Sequence, residues 1–294
     1  MRIVFCGLPL GALLLQHDGH EIALAAISRA GASGTRRLSR RVGQKRVLVQ
    51  PDLAAMGPRV RELGPDLLVS WFWTKRIPPE IVGAARLGAF NVHPSLLPRH
   101  RGADPIFWTI DAGDAVTGVT AHRLEDRYDT GTIYTQRELR VDASWNAWTL
   151  ALQLDRLSLA LLRDTVARFA RGEIPAATPQ DEALATHAPS PSDDDLTIQW
   201  DDDAERIARR IRAAAPWPGM LTEISDHALL ITRAEPTDEV PRALRPAEAT
   251  ILEGTVVVRT RDRGLRLLAA RDADTDAELG ANDLASLITS ALRR

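Results

Sequence analysis

Short, wholly apolar runs alternate with amphipathic stretches over the first 170 or so residues. Arg2-Ile3-Val4-Phe5-Cys6-Gly7 and Glu21 to Ile27 read as buried strands, with a short helix from Pro9 to Gln16 between them. Asp66 to Trp71 and Gly88 to His93 are two further runs of the same kind, and Arg46 to Val49 is a shorter one. Asp52 stands where an N-cap belongs, ahead of a helical pattern ending at Leu63, and Pro79-Glu80 opens another helix. Residues 28–45, rich in Gly, Ser and Arg, read as a mobile loop. Further on, Ala103 to Ala112 predicts a helix, and Gly118 to Leu124 and Thr132 to Leu139 predict strands. Ser144 would then cap a long helix with Trp148, Leu152, Leu159, Leu162, Val166 and Phe169 at helical spacing.

From Gly172 the pattern changes. Pro175, Pro179, Pro189 and Pro191 fall in a stretch with few large apolar residues, which reads as a linker. Beyond it come a helix from Ala204 to Ala214 and short alternating runs at Leu221 to Ile224, Ala228 to Arg233, Thr255 to Arg259 and Leu265 to Ala269. Short strands between Gly and Pro turns predict a small OB-like β-barrel. The expected organisation is therefore a domain over 1–172, a linker over 173–195 and a second domain over 196–294. The first is α/β, a Rossmann-like, mostly parallel sheet with helices on both faces. Such sheets bind ligands beyond the carboxyl ends of their strands.

Composition narrows the setting. The chain has 294 residues, 45% hydrophobic and 26% charged, which is ordinary for a globular protein. Its single cysteine, Cys6, rules out an internal disulfide and fits a reducing cytoplasm. The N-terminal apolar run is too short for a secretion signal, and no window holds 18 uninterrupted apolar residues, so no membrane association is expected. The net charge of −2 is unevenly spread: residues 1–101 carry +9, with Arg36, Arg37, Arg40, Arg41, Lys45 and Arg46 bunched together. That cluster is either a site for a polyanion or a solvated face.

The candidate chemistry lies between Ala89 and Gly131. Asn91 and His93 are two apart on one strand, so their side chains point the same way. Asp129-Thr130-Gly131 supplies a carboxylate 36 residues after His93. An amide to polarise a carbonyl, an imidazole and a carboxylate to orient it form an acyl-transfer set. Ser95 lacks the G-x-S-x-G surroundings of a nucleophile, and Arg101 suits either an anionic ligand or an internal salt bridge. His100 and His122 read as solvent or loop histidines, and Trp145 and Trp148 as packing residues. No C-x-x-C or helical His pair exists, so no metal is expected. Gly7-Leu8-Pro9 is not a dinucleotide fingerprint.

Asn91-x-His93-x-Ser95-Leu96-Leu97-Pro98-x-x-Arg101-Gly102, followed by Asp129-Thr130-Gly131, closely resembles the signature of the 10-formyltetrahydrofolate-dependent formyltransferases. Ile198-x-Trp200 and Arg212-Ala213-x-x-Pro216-Trp217-Pro218-Gly219 are similar to the C-terminal domain found in several members. The resemblance implies 10-formyltetrahydrofolate as cosubstrate and Asn91, His93 and Asp129 as catalytic residues. It also implies a folate pocket drawing on Thr74, Ile77, Ser95, Leu97, Arg127 and Tyr128. Members that formylate initiator tRNA carry a longer basic insertion after the second strand, and the loop here is short. Residues 196–294 hold 14 Arg and no Lys against 17 acids, a net −3 that suits no phosphate backbone. A small amine, such as an amino sugar or amino-acid-derived metabolite, is thus the favoured acceptor, with initiator Met-tRNA the alternative. Formyltetrahydrofolate hydrolysis and a non-catalytic nucleic-acid-binding module are readings of other classes.

Overall fold

A computed structural model describes residues 1–174 and 176–292; Pro175 of the expected linker and the last two residues of the expected second domain lie outside them. The described chain forms two compact units, and both are discontinuous in sequence. One comprises residues 1–105, 116–140 and 153–188; the other comprises 106–115, 141–152 and 189 onward.

The first unit is built on a seven-stranded sheet. Its elements in chain order are β1 (Arg2–Gly7), α1 (Pro9–His17), β2 (Glu21–Ile27), α2 (Thr35–Val42), β3 (Val47–Val49), α3 (Leu53–Leu63), β4 (Leu67–Trp71), α4 (Pro79–Val82) and β5 (Ala89–His93). After α5 (Pro105–Asp111), which apart from Pro105 belongs to the second unit, come β6 (Val116–Arg123), β7 (Ile133–Arg140) and α6 (Ala147–Ala170), of which the part up to Leu152 also belongs to the second unit. The strand order is β3-β2-β1-β4-β5-β6-β7. The first five strands run parallel, whereas β6 and β7 are antiparallel to their neighbours. Alternation along β1 divides the core. Val4 and Cys6 pack with Leu53, Met56, Val60 and Ile81 of α3 and α4. On the opposite face, Phe5 lies under Gly11 of α1, and Phe90 of β5 stacks on Phe169 of α6. Cys6 is buried on β1, an interior strand, and burial pushes its thiol up to about 12.

One expectation fails in this unit. Residues 28–45 are not one loop, because α2 occupies 35–42. Its anchor is Leu38, fully buried, while Gly34 and Gly43, both at positive φ, let the chain enter and leave. One apolar side chain suffices to dock a two-turn helix, and the surrounding arginines hide it from a periodicity search. Part of the expected linker is itself held to this unit. Thr178 pairs with Ile133 and His187 with Arg101, and a 3-10 turn spans Glu182–Leu184.

Helix α6 begins later than expected. Asn146 caps it, its Oδ1 accepting from the N–H of Thr149 at 2.9 Å, while the Ser144 hydroxyl turns back to Asp142. Of the apolar stripe assigned to it, Leu162, Val166 and Phe169 are buried, but Trp148 is 61% and Leu152 42% exposed, so Trp148 is not a packing residue.

The second unit contains α7 (Ala204–Ala214) and strands β8 (Met220–Ile224), β9 (His227–Thr237), β10 (Ala249–Leu252), β11 (Thr255–Arg259), β12 (Gly264–Asp272) and β13 (Glu278–Gly280), then α8 (Ala281–Leu292). The strands form an antiparallel sheet in the order β10-β11-β12-β9-β8, with β13 added on β12. Ile207 and Ile211 of α7 are buried, as are Leu229, Ile231, Val257 and Leu267. Trp200 is also buried, its indole N–H donating to Thr222 Oγ1 at 3.0 Å.

Candidate active site

The carboxyl ends of β4 and β5 open on a cavity of about 410 Å³ that lies within the first unit. Its wall includes Asn91 and His93 from β5, His122 from β6 and Asp129 from the loop between β6 and β7. Strand geometry sends Asn91 and His93 to one side, and antiparallel pairing sets His122 opposite Asn91. Asp129 arrives by a turn in which it adopts φ +54. The turn closes on Gly131, where an added Cβ would lie 1.9 Å from the carbonyl oxygen of Arg123. The glycine two residues after Asp129 is therefore a steric requirement.

The hydrogen bonds specify the proton positions. His93 Nε2 lies 2.9 Å from the carbonyl of His100, an acceptor only, so this nitrogen carries the proton. His93 Nδ1 faces Asp129 Oδ2 at 3.6 Å, too far for a hydrogen bond and consistent with an unprotonated nitrogen. Asp129 Oδ2 accepts the backbone N–H of Gly102 at 3.1 Å. Burial lowers the pKa of His93 below its ordinary value, with the Asp129 carboxylate acting in the opposite direction. For Asp129, burial favours the neutral acid but is outweighed by His93, His122 and the Gly102 N–H, which hold its carboxyl at about 2. The site thus has a neutral imidazole beside a firmly ionised carboxylate.

Of the residues expected at a folate pocket, Thr74, Ile77, Arg127 and Tyr128 line this cavity. Ser95 and Leu97 do not. Ser95 is fully buried, its hydroxyl donating to the carbonyl of Arg99 at 2.7 Å, and the Leu97 N–H donates to Thr120 Oγ1 at 3.1 Å. Both residues brace the loop that carries Arg101-Gly102, so their side chains are part of its packing. Arg101 is likewise internal: buried, it makes two bonds to Glu182, at 2.9 and 3.0 Å, and two to Gln180. Its salt-bridge reading is the one the structure bears out.

Two histidines read as loop residues are buried in the site. His100, at φ +59, aims its carbonyl at His93. His122 is 1% exposed, with Nε2 3.3 Å from Asp129 Oδ1 and 3.4 Å from Asn91 Nδ2. Strand pairing between His122 and Asn91 is the signal that would have found it. The other wall of the cavity is aromatic: Trp71, Phe72 and Trp73 line it, and the Trp73 indole N–H is buried with no hydrogen-bond partner. Among the described residues, no group of three or more His, Cys, Asp or Glu side chains is arranged to hold a metal ion, and no helix is long and apolar enough to cross a membrane.

Comparison with known proteins agrees with the motif. Residues 28–165 match the family described as formyl transferase, and residues 192–285 match the formyl transferase C-terminal domain. A methionyl-tRNA formyltransferase of Anaeromyxobacter dehalogenans is 32% identical over 92% of this chain and 91% of its own length. Another, from Sorangium cellulosum, is 33% identical over 71% of this chain, and the match spans 66% of that protein. Among solved structures, HypX from Aquifex aeolicus in complex with tetrahydrofolic acid superposes with a TM-score of 0.67 at 20% identity. All of this chain aligns to about half (48%) of HypX. An N-formyltransferase from Helicobacter canadensis, in complex with folinic acid and dTDP-3-aminofucose, gives a TM-score of 0.68 at 14% identity, covering 90% of this chain and 98% of that one. The chain belongs to the formyl transferase family and is an enzyme that transfers formyl groups.

Proposed function

We propose that the chain moves the formyl group of 10-formyltetrahydrofolate onto the nitrogen of a small primary amine. The observation that carries this reading is one cavity wall holding the Asn91 amide, an unprotonated His93 Nδ1 and an ionised Asp129. The acceptor nitrogen attacks the formyl carbon, and the carbonyl oxygen becomes an oxyanion to which the Asn91 N–H donates. His93 Nδ1 takes the proton from the attacking nitrogen, and Asp129 Oδ2 stands next to the imidazolium so formed. The oxyanion then re-forms the carbonyl, the bond from carbon to the folate nitrogen breaks, the proton held on His93 Nδ1 passes to that nitrogen, and tetrahydrofolate leaves. The folate ring fits an aromatic wall that also contains an unpartnered indole N–H. Several solved relatives are described with tetrahydrofolate or its formyl derivatives bound, which supports the same donor.

A small acceptor is favoured by the net −3 of residues 196–294 and by the short segment that carries α2. An amino sugar or an amino-acid-derived metabolite has the required nitrogen. Initiator Met-tRNA is the second reading, supported by the names of the relatives at 29–35% identity. We assign donor binding and chemistry to residues 1–172, joined through 173–195 to an accessory domain over 196–294, in a protein of the cytoplasm. The test is a panel of amines assayed with 10-formyltetrahydrofolate beside charged initiator tRNA, at two salt concentrations. Transfer to a small amine is expected. Formylation of tRNA at ordinary salt, with every small amine inert, would overturn the acceptor assignment, and release of formate alone would make the enzyme a hydrolase.

A further inference from the structure

We infer that His122 is a positioning residue that sets the Asn91 amide for transfer, an inference that rests on the function proposed above. His122 Nδ1 lies 2.9 Å from the carbonyl of Arg123, an acceptor only, so the ring proton sits on Nδ1 and Nε2 is an acceptor in the neutral ring. The Asn91 Nδ2, 3.4 Å away, is a donor only. Their pairing fixes which end of the amide is which: one N–H goes to His122, and the second is left for the cavity. An amide rotated half a turn would present its oxygen to the developing oxyanion, which is repulsive. Asp129 Oδ1 also lies 3.3 Å from this Nε2, which in that tautomer has no proton to give it; the bond that holds the carboxylate is the one from the Gly102 N–H to Oδ2. His93 and His122 stand edge to face across this carboxylate, ring centres 6.4 Å apart.

The support beneath His122 is rigid. The Arg123 carbonyl that holds its ring is the atom against which Gly131 is packed, and the Arg123 N–H donates to Thr132 at 2.9 Å. The turn carrying Asp129 and the strand carrying His122 thereby lock each other. Nothing in this arrangement gives His122 a proton to transfer to substrate; its work is orientation.

Two variants of the full chain separate orientation from mere packing. His122→Gln keeps a polar group at the reach of Nε2; His122→Asn keeps one only at the reach of Nδ1. His122→Asn is expected to lower kcat about 10- to 100-fold with the KM for 10-formyltetrahydrofolate within about twofold, and His122→Gln to recover most of the loss. The Asn91 side-chain amide, followed by ¹⁵N NMR, is expected to shift in His122→Asn and to stay near wild type in His122→Gln. Wild-type kcat in His122→Asn, a loss confined to KM, or an unmoved Asn91 signal would overturn the inference. If the wild-type enzyme formylates no amine, the functional reading fails by itself, and the Asn91 signal still decides the role of His122.

Discussion

The backbone N–H of Gly102 donates to Asp129 Oδ2 across 3.1 Å, joining two stretches of chain that lie 27 residues apart. Gly102 adopts φ +127, and an added Cβ would sit 2.6 Å from the carbonyl oxygen of Ala188. Gly102→Ala is therefore expected to cost about 1–3 kcal/mol of stability and to lower activity, because relief of the clash withdraws the N–H from Asp129. Urea denaturation and steady-state kinetics on the same preparation check both effects. Unchanged values for both would mean that this contact is incidental.

His93→Ala and Asp129→Asn remove the base and its carboxylate partner. Each is expected to reduce formyl transfer by at least about 100-fold, with a native far-ultraviolet spectrum retained. Survival of wild-type turnover in either variant would refute the assigned roles.

Both titrations give the same sign for stability against pH. Asp129 ionises at about 2 in the folded chain, below its ordinary 3.8, so its stabilising contribution is complete above that ordinary value and disappears as pH falls through about 2. His93 is held below its ordinary 6.5. Just under 6.5 the unfolded chain therefore binds a proton that the native chain refuses, and stability declines on acidification. The free base also persists to lower pH than an ordinary histidine would allow. The acid limb of the kcat/KM profile is accordingly expected below 6.5, and a limb at 7 or higher would contradict the buried neutral imidazole.

Leu38→Ala should cost about 2–5 kcal/mol by emptying the one buried position of α2, whereas Arg36→Ala should stay within about 0.5 kcal/mol. Hydrogen exchange at residues 35–42 would report the local loss directly. Equal effects from the two changes would show that α2 is not docked through Leu38.

Arg76 and Asp126 form an exposed ion pair at 3.3 Å between two loops that both line the cavity. Such pairs contribute less than about 1 kcal/mol. Arg76→Ala is expected to leave the urea midpoint in place and to raise the KM for the folate donor at constant kcat. A large loss of stability would assign the pair a structural role that its exposure does not support.

The sequence made some elements legible to the residue. Strands β1, β2 and β11 and helix α7 match their expected limits because continuous apolar runs, or a full helical stripe, leave no alternative register. Asn91, His93 and Asp129 were legible through motif spacing, and the cavity gathers all three. His122 was not, because its place depends on an antiparallel register between β5 and β6, which no local pattern encodes. Ser95 and Leu97 went wrong for a related reason. A motif orders residues along the chain without saying which way each side chain points, and these two turn inward. Helix α2 was missed because one leucine among four arginines is its only buried side chain.

Cys6, sealed in the interior strand β1 with its thiol raised to about 12, has a practical corollary. At neutral pH it offers almost no thiolate to maleimides or iodoacetamides. A cysteine introduced at an exposed position such as Tyr128, at the cavity mouth, would then be the one reactive thiol of the chain. A fluorophore or spin label attached there would report occupancy of the pocket with no native residue needing replacement first.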